Sequence, residues 1–160
     1  MNIEIRKIEK GDDPIIRDVI RKVFEEFGIN KPGTAYYDEA LNHMSDLLLT
    51  PGSIYNIVKI DGKIIGGAGV FATDGLPPDT CELVKMYLLP EARGLGLGKT
   101  LIEKCITFAK EYGYKKMYLE TMPELQKAVK TYEGFGFSLL PGPLGNTGHF
   151  ACSIRMIKDL

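Results

Sequence analysis

Residues 90–99 read Pro90-Glu91-Ala92-Arg93-Gly94-Leu95-Gly96-Leu97-Gly98-Lys99, and they are the most informative segment of the chain. Its glycines alternate with single side chains, after an apolar run that ends near Leu89 and before an amphipathic run that starts near Gly98. A backbone without Cβ atoms can approach an anion closely, and the N-terminus of a helix adds partial positive charge. The stretch therefore predicts a phosphate-binding loop between a strand and a helix.

Two common phosphate motifs do not fit this loop when their residues are counted. The nucleotide-triphosphate loop needs four residues between its first glycine and its Gly-Lys-Thr ending. Gly94 and Gly98 have only three between them, and Arg93 stands in the glycine position. The dinucleotide fingerprint fails because its third glycine, after Gly94 and Gly96, should stand where the chain has Lys99. A small nucleotide-triphosphate binding protein is further disfavoured, because no obvious acidic magnesium ligand stands at a strand end.

The segments on both sides of the loop predict a mixed α/β order of elements in a single domain that spans residues 1–160. Alternating or continuous apolar runs predict strands, and apolar residues at helical spacing predict helices. Asp61-Gly62 stands between two such strands and suits the left-handed turn of a hairpin. The expected strands are 3–8, 53–60, 63–71, 81–89, 117–121, 137–140 and 150–157, and the expected helices are 15–27, 37–48, 100–112 and 124–135.

Length, charge and cysteine content limit the kinds of protein that this chain can be. A chain of 160 residues that is 44% hydrophobic can bury one sizeable core. With 20 Lys and Arg against 21 Asp and Glu, the charge offers no general reason to bind nucleic acid or an anionic membrane. The three cysteines, Cys81, Cys105 and Cys152, are widely spaced and lack the paired spacing of zinc or redox motifs. We therefore expect a cytoplasmic protein without a metal site, a membrane segment or a nucleic-acid partner.

A longer pattern surrounds the glycine loop, from Cys81 to Phe137. It includes the strand Val84-Lys85-Met86-Tyr87-Leu88, the Pro90-Glu91 turn, the arginine-glycine loop, and downstream Ala128, Tyr132, Gly136 and Phe137. This half of the chain resembles the GNAT family of acetyl-coenzyme A dependent N-acetyltransferases. The resemblance implies the acyl-CoA N-acyltransferase fold, an α/β fold with a central, twisted, mostly antiparallel sheet of six to seven strands flanked by about four helices.

The same resemblance implies how acetyl-coenzyme A would be bound. The backbone amides of residues 95–99 would hold its pyrophosphate, with Arg93 at the mouth of the site. Backbone groups of Met86 and Leu88 would pair with the pantetheine arm like an added strand, and the N–H of Met86 would polarise the thioester carbonyl. The expected coenzyme contacts are Met86, Tyr87, Leu88, Arg93, Gly94, Leu95, Gly96, Leu97, Gly98, Lys99, Thr121 and Tyr132.

Glu82 and Tyr132 are the candidate catalytic residues. An amine with a pKa near ~10 is mostly protonated at neutral pH, so a carboxylate acting through water would help to remove its proton. Glu82 precedes Met86 by four residues, and strand alternation would place both side chains on one face, with ~3.3 Å per residue between them. Tyr132 matches the family tyrosine that protonates the coenzyme thiolate. The alternatives are a solvated glutamate at a strand edge and a tyrosine that only packs.

Some positions depart from the family pattern or lack an evident role. Leu125, followed by Gln126, stands where many members have an asparagine, so one polar contact to the coenzyme arm is missing or replaced. His43 and His149 are far apart in sequence, and we interpret them as surface or loop histidines. The three cysteines are interpreted as small apolar core residues, which disfavours a covalent acyl-cysteine route.

Two functions remain open for this scaffold. The first is N-acetyl transfer by direct attack of a small-molecule amine or amino acid on acetyl-coenzyme A, with Glu82 as base and Tyr132 as acid. The second is a non-catalytic domain of the same fold that binds or senses acyl-coenzyme A. The acceptor would be chosen by loops 30–37, 73–80 and 140–149, and many relatives pair through their sheets, so a homodimer is possible.

Overall fold

The computed structural model describes residues 1–160, which form one seven-stranded sheet with three α-helices and several 3-10 helices. The strands lie in the order β1-β2-β3-β4-β5-β7-β6, and every neighbouring pair is antiparallel except β4 and β5. The predicted mixed α/β fold with a mostly antiparallel sheet is confirmed. The elements are β1 (Ile3–Lys7), α1 (Asp13–Glu26), β2 (Ile54–Ile60), β3 (Lys63–Phe71), β4 (Thr80–Leu88), α2 (Leu97–Tyr112), β5 (Lys116–Thr121), α3 (Gln126–Gly134), β6 (Ser138–Leu139) and β7 (Ile154–Asp159).

α1 and α2 pack against β3 and β4 and supply much of one continuous core. Ile16, Ile20 and Phe24 recur at helical spacing on α1 and are almost completely buried, as are Leu101 and Cys105 on α2. Burying an aliphatic or aromatic side chain of this kind stabilises a fold by about 1.5–3 kcal/mol. Since β4 and α2 are both anchored in this core, the glycine loop that joins them has fixed ends.

The predicted hairpin between β2 and β3 is also confirmed. Asp61 and Gly62 both have positive φ, at 48° and 83°. A two-residue turn with positive φ at both positions matches the right-handed twist of the flanking strands, and Asp-Gly suits it.

The predicted helix at 37–48 is instead a 3-10 helix, Glu39–Leu49, which is interrupted at His43. The carboxylate of Asp13 accepts hydrogen bonds from the Ser45 backbone N–H and from its hydroxyl, each at 2.7 Å. A side chain that takes a backbone N–H in this way competes with regular helix bonding. The last strand begins at Ile154 and not at residue 150, so residues 140–153 form a loop.

A bulge in β4 interrupts its pairing with β3. Gly67 pairs with Tyr87 and Gly69 with Val84, so β4 has one residue more than β3 over this interval. Within the interval, Lys85 has a φ of 52°, which is uncommon for a residue with a side chain. The strict alternation of side chains between the two faces of a strand therefore does not hold across Lys85.

Tyr55 on β2 supports this bulge. Its buried hydroxyl donates a 2.7 Å hydrogen bond to the backbone carbonyl of Lys85. The ring has room because β3 carries glycines beneath it, and a Cβ added at Gly67 or Gly69 would lie 2.7 Å from a ring carbon. The glycines of β3 and the tyrosine of β2 together stabilise the irregular backbone of β4.

β4 and β5 pair in parallel only at their first residues. Thr80, Cys81 and Glu82 face Lys116, Met117 and Tyr118, and the ladder ends there. From Leu83 to Leu88, the edge of β4 that faces β5 carries no strand partner. The two strands thus open a gap in the middle of the sheet, and this edge of β4 has no neighbouring strand there.

Candidate active site

Two cavities meet at β4. The larger cleft, about 740 Å³, lies along β4, the glycine loop and α3. The smaller cavity, about 420 Å³, lies beneath the 3-10 helical segment 35–50 and the loops 72–74 and 146–152. Four side chains line both, namely Leu83, Lys85, Tyr87 and Glu120. The wall between the two cavities is therefore formed by the bulged part of β4 and the end of β5.

The glycine loop forms one end of the larger cleft. Gly94 and Gly96 have positive φ, at 80° and 74°, and a Cβ added to either would meet no atom within 4 Å. α2 starts at Leu97, directly after Gly96. The first N–H groups of a helix lack partners within the helix, and its N-terminus favours negative charge. The loop thus combines open space, free amides and positive potential, which together suit a phosphate group.

Arg93 lines the cleft but its guanidinium is held by protein groups. It donates to both carboxylate oxygens of Glu26, at 2.5 and 2.8 Å, and to the Leu88 carbonyl at 2.9 Å. It also lies over the ring of Phe27, 5.2 Å from the centroid. The hydrogen bonds from Arg93 hold the pKa of Glu26 below its usual value. Arg93 is therefore placed beside the loop as expected, with its charge already paired.

The other expected coenzyme contacts lie along the same cleft, with one exception. The lining includes Met86, Tyr87, Leu88, Gly94, Gly96, Leu97, Gly98, Lys99, Thr121 and Tyr132. Leu95 is 42% exposed and its side chain does not line the cleft. Leu125 and Gln126, at and beside the position where many relatives have asparagine, both line it. The pocket thus brings together residues that are 46 positions apart in the chain, from Met86 to Tyr132.

Tyr132 reaches the larger cleft from α3. It is 6% exposed, and its ring packs edge-on against Phe137 with centroids 5.9 Å apart. Burial raises the pKa of its hydroxyl far above the usual 10. Tyr132 is thus protonated throughout the neutral range and can act as a hydrogen-bond donor.

Glu82 lies on the other side of the wall and lines the smaller cavity. It is 5% exposed, so a solvated glutamate at a strand edge is wrong. The Thr73 hydroxyl donates to its carboxylate at 2.5 Å. Burial raises the pKa of Glu82 to about 7, although the hydrogen bond from Thr73 opposes the rise. The expectation that Glu82 and Met86 share one face is also wrong: Met86 lines only the larger cleft, because the bulge at Lys85 breaks the alternation.

Comparison with known proteins identifies the family of this chain. The model of the acetyltransferase (GNAT) family matches residues 16–137. The chain is 38% identical over 157 residues to the uncharacterized N-acetyltransferase YjgM of Escherichia coli (strain K12). This match covers 98% of this chain and 94% of that protein. The chain belongs to the GNAT family. It is accordingly an acyltransferase.

Solved structures show the same GNAT fold. An acetyltransferase of the GNAT family from Staphylococcus aureus Mu50 matches with a TM-score of 0.85 and 20% identity over 99% of both chains. The PaiA N-acetyltransferase from Thermoplasma acidophilum, determined in complex with coenzyme A, matches with a TM-score of 0.76 and 18% identity over the whole of both chains. In this GNAT chain no helix combines the length and the apolar character needed to cross a membrane.

His149 is a site residue of this GNAT protein that the sequence did not reveal. It lies in a loop, as expected, but its side chain is only 13% exposed, so it is not a surface histidine. Its Nε2 lies 2.7 Å from Asp38 and its Nδ1 lies 3.5 Å from Glu120. Burial alone would lower the pKa of His149, but the hydrogen bonds to both carboxylates raise it to about 9. The imidazole is therefore charged at neutral pH and joins two loops and β5.

Glu120 is the centre of a second set of bonds on the same side of the wall. It accepts hydrogen bonds from the Tyr118 hydroxyl and the Thr147 hydroxyl, both at 2.6 Å. The Tyr118 hydroxyl in turn accepts from the Leu144 N–H at 3.1 Å. These bonds attach the loop that contains Leu144, Thr147 and His149 to β5. The loop therefore forms an ordered cover over the smaller cavity.

The three cysteines are buried and free, as expected for small apolar core residues. Burial raises the pKa of each thiol to about 12, so none is a thiolate at neutral pH. Since the thiolate is the nucleophilic form, the cysteines of this GNAT chain are poorly suited to carry an acyl group. The structure contains no group of three or more His, Cys, Asp or Glu side chains that could hold a metal ion.

Proposed function

We propose that the chain transfers the acetyl group of acetyl-coenzyme A to the amine of a small molecule by direct attack. The observation that carries this proposal is the meeting of two cavities at β4. One has the glycine loop at its end, and the other contains a buried carboxyl group with a pKa of about 7. A thioester lying in the gap between β4 and β5 would face an amine that enters from the smaller cavity.

Residues of the larger cleft fit the coenzyme. The amides after Gly94 and the N-terminus of α2 would hold the pyrophosphate, because nothing in the protein fills the space above Gly94 and Gly96. The unpaired edge of β4 from Leu83 to Leu88 would accept the pantetheine arm as an added strand. The coenzyme A found in the related Thermoplasma acidophilum structure supports this assignment.

Glu82 would act as the general base on the acceptor side. Its pKa of about 7 makes it half ionised at neutral pH, which is where a general base is most effective. It would remove the proton of the bound ammonium through water, and the neutral amine would then attack the thioester carbonyl. The N–H of Met86 would donate to the carbonyl oxygen as negative charge develops there.

Tyr132 would assist departure of the thiolate from the opposite side. Its hydroxyl is protonated over the whole neutral range because burial raises its pKa. Since that pKa lies above the pKa of a thiol, about 8.5, complete transfer of the proton is uphill. The contribution of Tyr132 is therefore a hydrogen bond that strengthens as negative charge develops on the sulfur. The proton that the attacking nitrogen loses when it becomes an amide would neutralise the departing thiolate.

The experiment that tests the proposal is calorimetric titration with acetyl-coenzyme A, followed by thiol release on a panel of amines. Gly96→Glu places a carboxylate where the pyrophosphate would lie and should abolish binding. Gly113→Glu is the matched control: this glycine also has positive φ and open space around it. It lies at the far end of the 16-residue α2, roughly 24 Å away at 1.5 Å per residue, and its replacement should leave binding intact.

Each outcome separates the proposal from its alternatives. Binding with amine-dependent thiol release, lost only in Gly96→Glu, would support the transferase. Binding without release across the panel would favour the non-catalytic acyl-coenzyme A domain. Equal affinity of the Gly96→Glu variant and the wild type would refute the assignment of the glycine loop.

A further inference from the structure

The positive charges of the smaller cavity are already paired with carboxylates of the protein. Lys85 Nζ lies 2.7 Å from a carboxylate oxygen of Asp38, and His149 Nε2 lies 2.7 Å from the same oxygen. The other ring nitrogen of His149 faces Glu120 at 3.5 Å. These two cations and two anions balance one another, and no other Lys, Arg or His lines the cavity.

The charge that is left over in the smaller cavity is negative. Glu82 and Asp74 both line it, and neither forms an ion pair. Glu82 is buried and bonded to the neutral Thr73 hydroxyl, and Asp74 is exposed at the rim. The rest of the wall is largely apolar and includes Met44 and Leu47.

We infer that the acceptor is a small primary amine with an apolar body and no free carboxylate beside the reacting nitrogen, and not an amino acid. This inference rests on the proposed function, since it concerns the second substrate of the same site. An ammonium group meets a cavity with a negative excess, and its hydrocarbon part meets apolar walls. The class therefore comprises alkyl and arylalkyl amines that fit about 420 Å³.

A carboxylate on the acceptor would be rejected for two reasons. Placed near the reacting nitrogen, it would lie close to Glu82 without a free cation to neutralise it. To gain a cation it would have to displace Asp38 from Lys85 and His149, which would leave a part-buried carboxylate of the protein without its partners. Discrimination thus comes from the charge of Glu82 and from the pairing of Asp38, and not from lack of room.

Matched compounds test the inference through kcat/KM for thiol release. The set is 2-phenylethylamine, phenylalanine and phenylalaninol, with isopentylamine, leucine and leucinol as a smaller series. Rates are referred to the total concentration of each amine, because the ammonium form is the one that would bind. The amino alcohols have nearly the bulk of the amino acids without their charge, so they separate a charge effect from a size effect. We expect the amine and the amino alcohol of at least one series to exceed the amino acid at least tenfold.

The variant Asp38→Asn tests the stated cause. It frees Lys85 and His149 to receive a carboxylate and should reduce the preference against the amino acid at least threefold. Asp46→Asn, an exposed acid in the 3-10 helix that directly follows Asp38, is the control and should leave the preference unchanged. A thermal melt identifies an unfolded variant, in which case the wild-type series alone decides.

The possible results test the acceptor class separately from the proposed acetyl transfer. Amino acids that react as well as the matched amines would overturn the inference and leave the transferase intact. A folded Asp38→Asn variant with an unchanged preference would also overturn it. Absence of thiol release from all six compounds, with acetyl-coenzyme A bound, would overturn the proposed small-amine transfer and the inference together.

Discussion

Replacing Glu82 by Gln should make the folded protein more stable at alkaline pH while removing most of its activity. The buried carboxyl has a pKa of about 7 instead of the usual 4.5. Gln has almost the same shape and can still accept the hydrogen bond from Thr73, so the substitution removes the charge and little else. The gain in stability comes from avoiding the cost of ionising a carboxyl group that is 5% exposed. The loss of activity comes from removing the group that accepts the proton.

The size of the stability effect follows from the pKa. Since a tenfold change in a protonation equilibrium corresponds to about 1.4 kcal/mol, raising the pKa from 4.5 to about 7 makes ionisation of Glu82 cost about 3 kcal/mol. For a chain of this length, 1 kcal/mol shifts Tm by roughly 2–4 °C. Glu82→Gln should therefore melt roughly 6–12 °C above the wild type at pH 8.

The direction of the pH dependence is fixed by linkage. The folded state binds the Glu82 proton more tightly than the unfolded state, so the favourable contribution is present below pH 4.5 and is lost as pH rises through about 7. The difference in Tm between the variant and the wild type should thus be near zero at pH 4.5 and grow up to pH 8. Glu103→Gln, an exposed position on α2, is the control and should show no such growth.

Activity gives the second measurement on the same protein. The wild-type kcat/KM should rise with pH and level off above about pH 7, as Glu82 becomes ionised. The kcat/KM of the variant should be lower by roughly 10²–10⁴-fold. Its pH–rate profile should also lack the rise at acidic pH, which is the acidic limb. A Tm difference that does not depend on pH would refute the burial cost. An acidic limb that survives in the variant would show that another group is the base.

Three further substitutions test the remaining parts of the site. Tyr132→Phe should lower kcat about tenfold or more with little change in KM for acetyl-coenzyme A, and an unchanged kcat would remove the hydroxyl from the mechanism. Tyr55→Phe removes the hydrogen bond to the Lys85 carbonyl. It should lower the free energy of unfolding by about 1–2 kcal/mol, measured by urea unfolding, and should also lower kcat, measured by thiol release. A stable, fully active variant would show that the bulge needs no such support. Thr73→Val removes a hydrogen bond that lowers the pKa of Glu82, so the acidic limb of the rate profile should move to higher pH, whereas Thr73→Ser should leave it in place.

Features that depend on residues close together in the chain could be predicted from the sequence. The glycines at 94, 96 and 98 predicted a phosphate loop because only a chain without Cβ atoms leaves such space, and the structure shows that space above Gly94 and Gly96. Asp61-Gly62 predicted the hairpin for the same kind of local reason. The family pattern from Cys81 to Phe137 then supplied the fold and the expected coenzyme contacts.

The chemistry of the acceptor side could not be predicted from the sequence, because it depends on contacts that form only when the chain is folded. His149 and Asp38 are 111 residues apart, and neither has a local pattern that marks it as a partner of the other. Strand alternation placed Glu82 on the face of Met86, but a bulge that depends on Tyr55 from another strand puts them on opposite sides of a wall. Burial and charge act between atoms that are close in space. The pKa of Glu82 and the ion pair of Lys85 are therefore set by residues that are distant in the sequence, and not by the residues beside them in the chain.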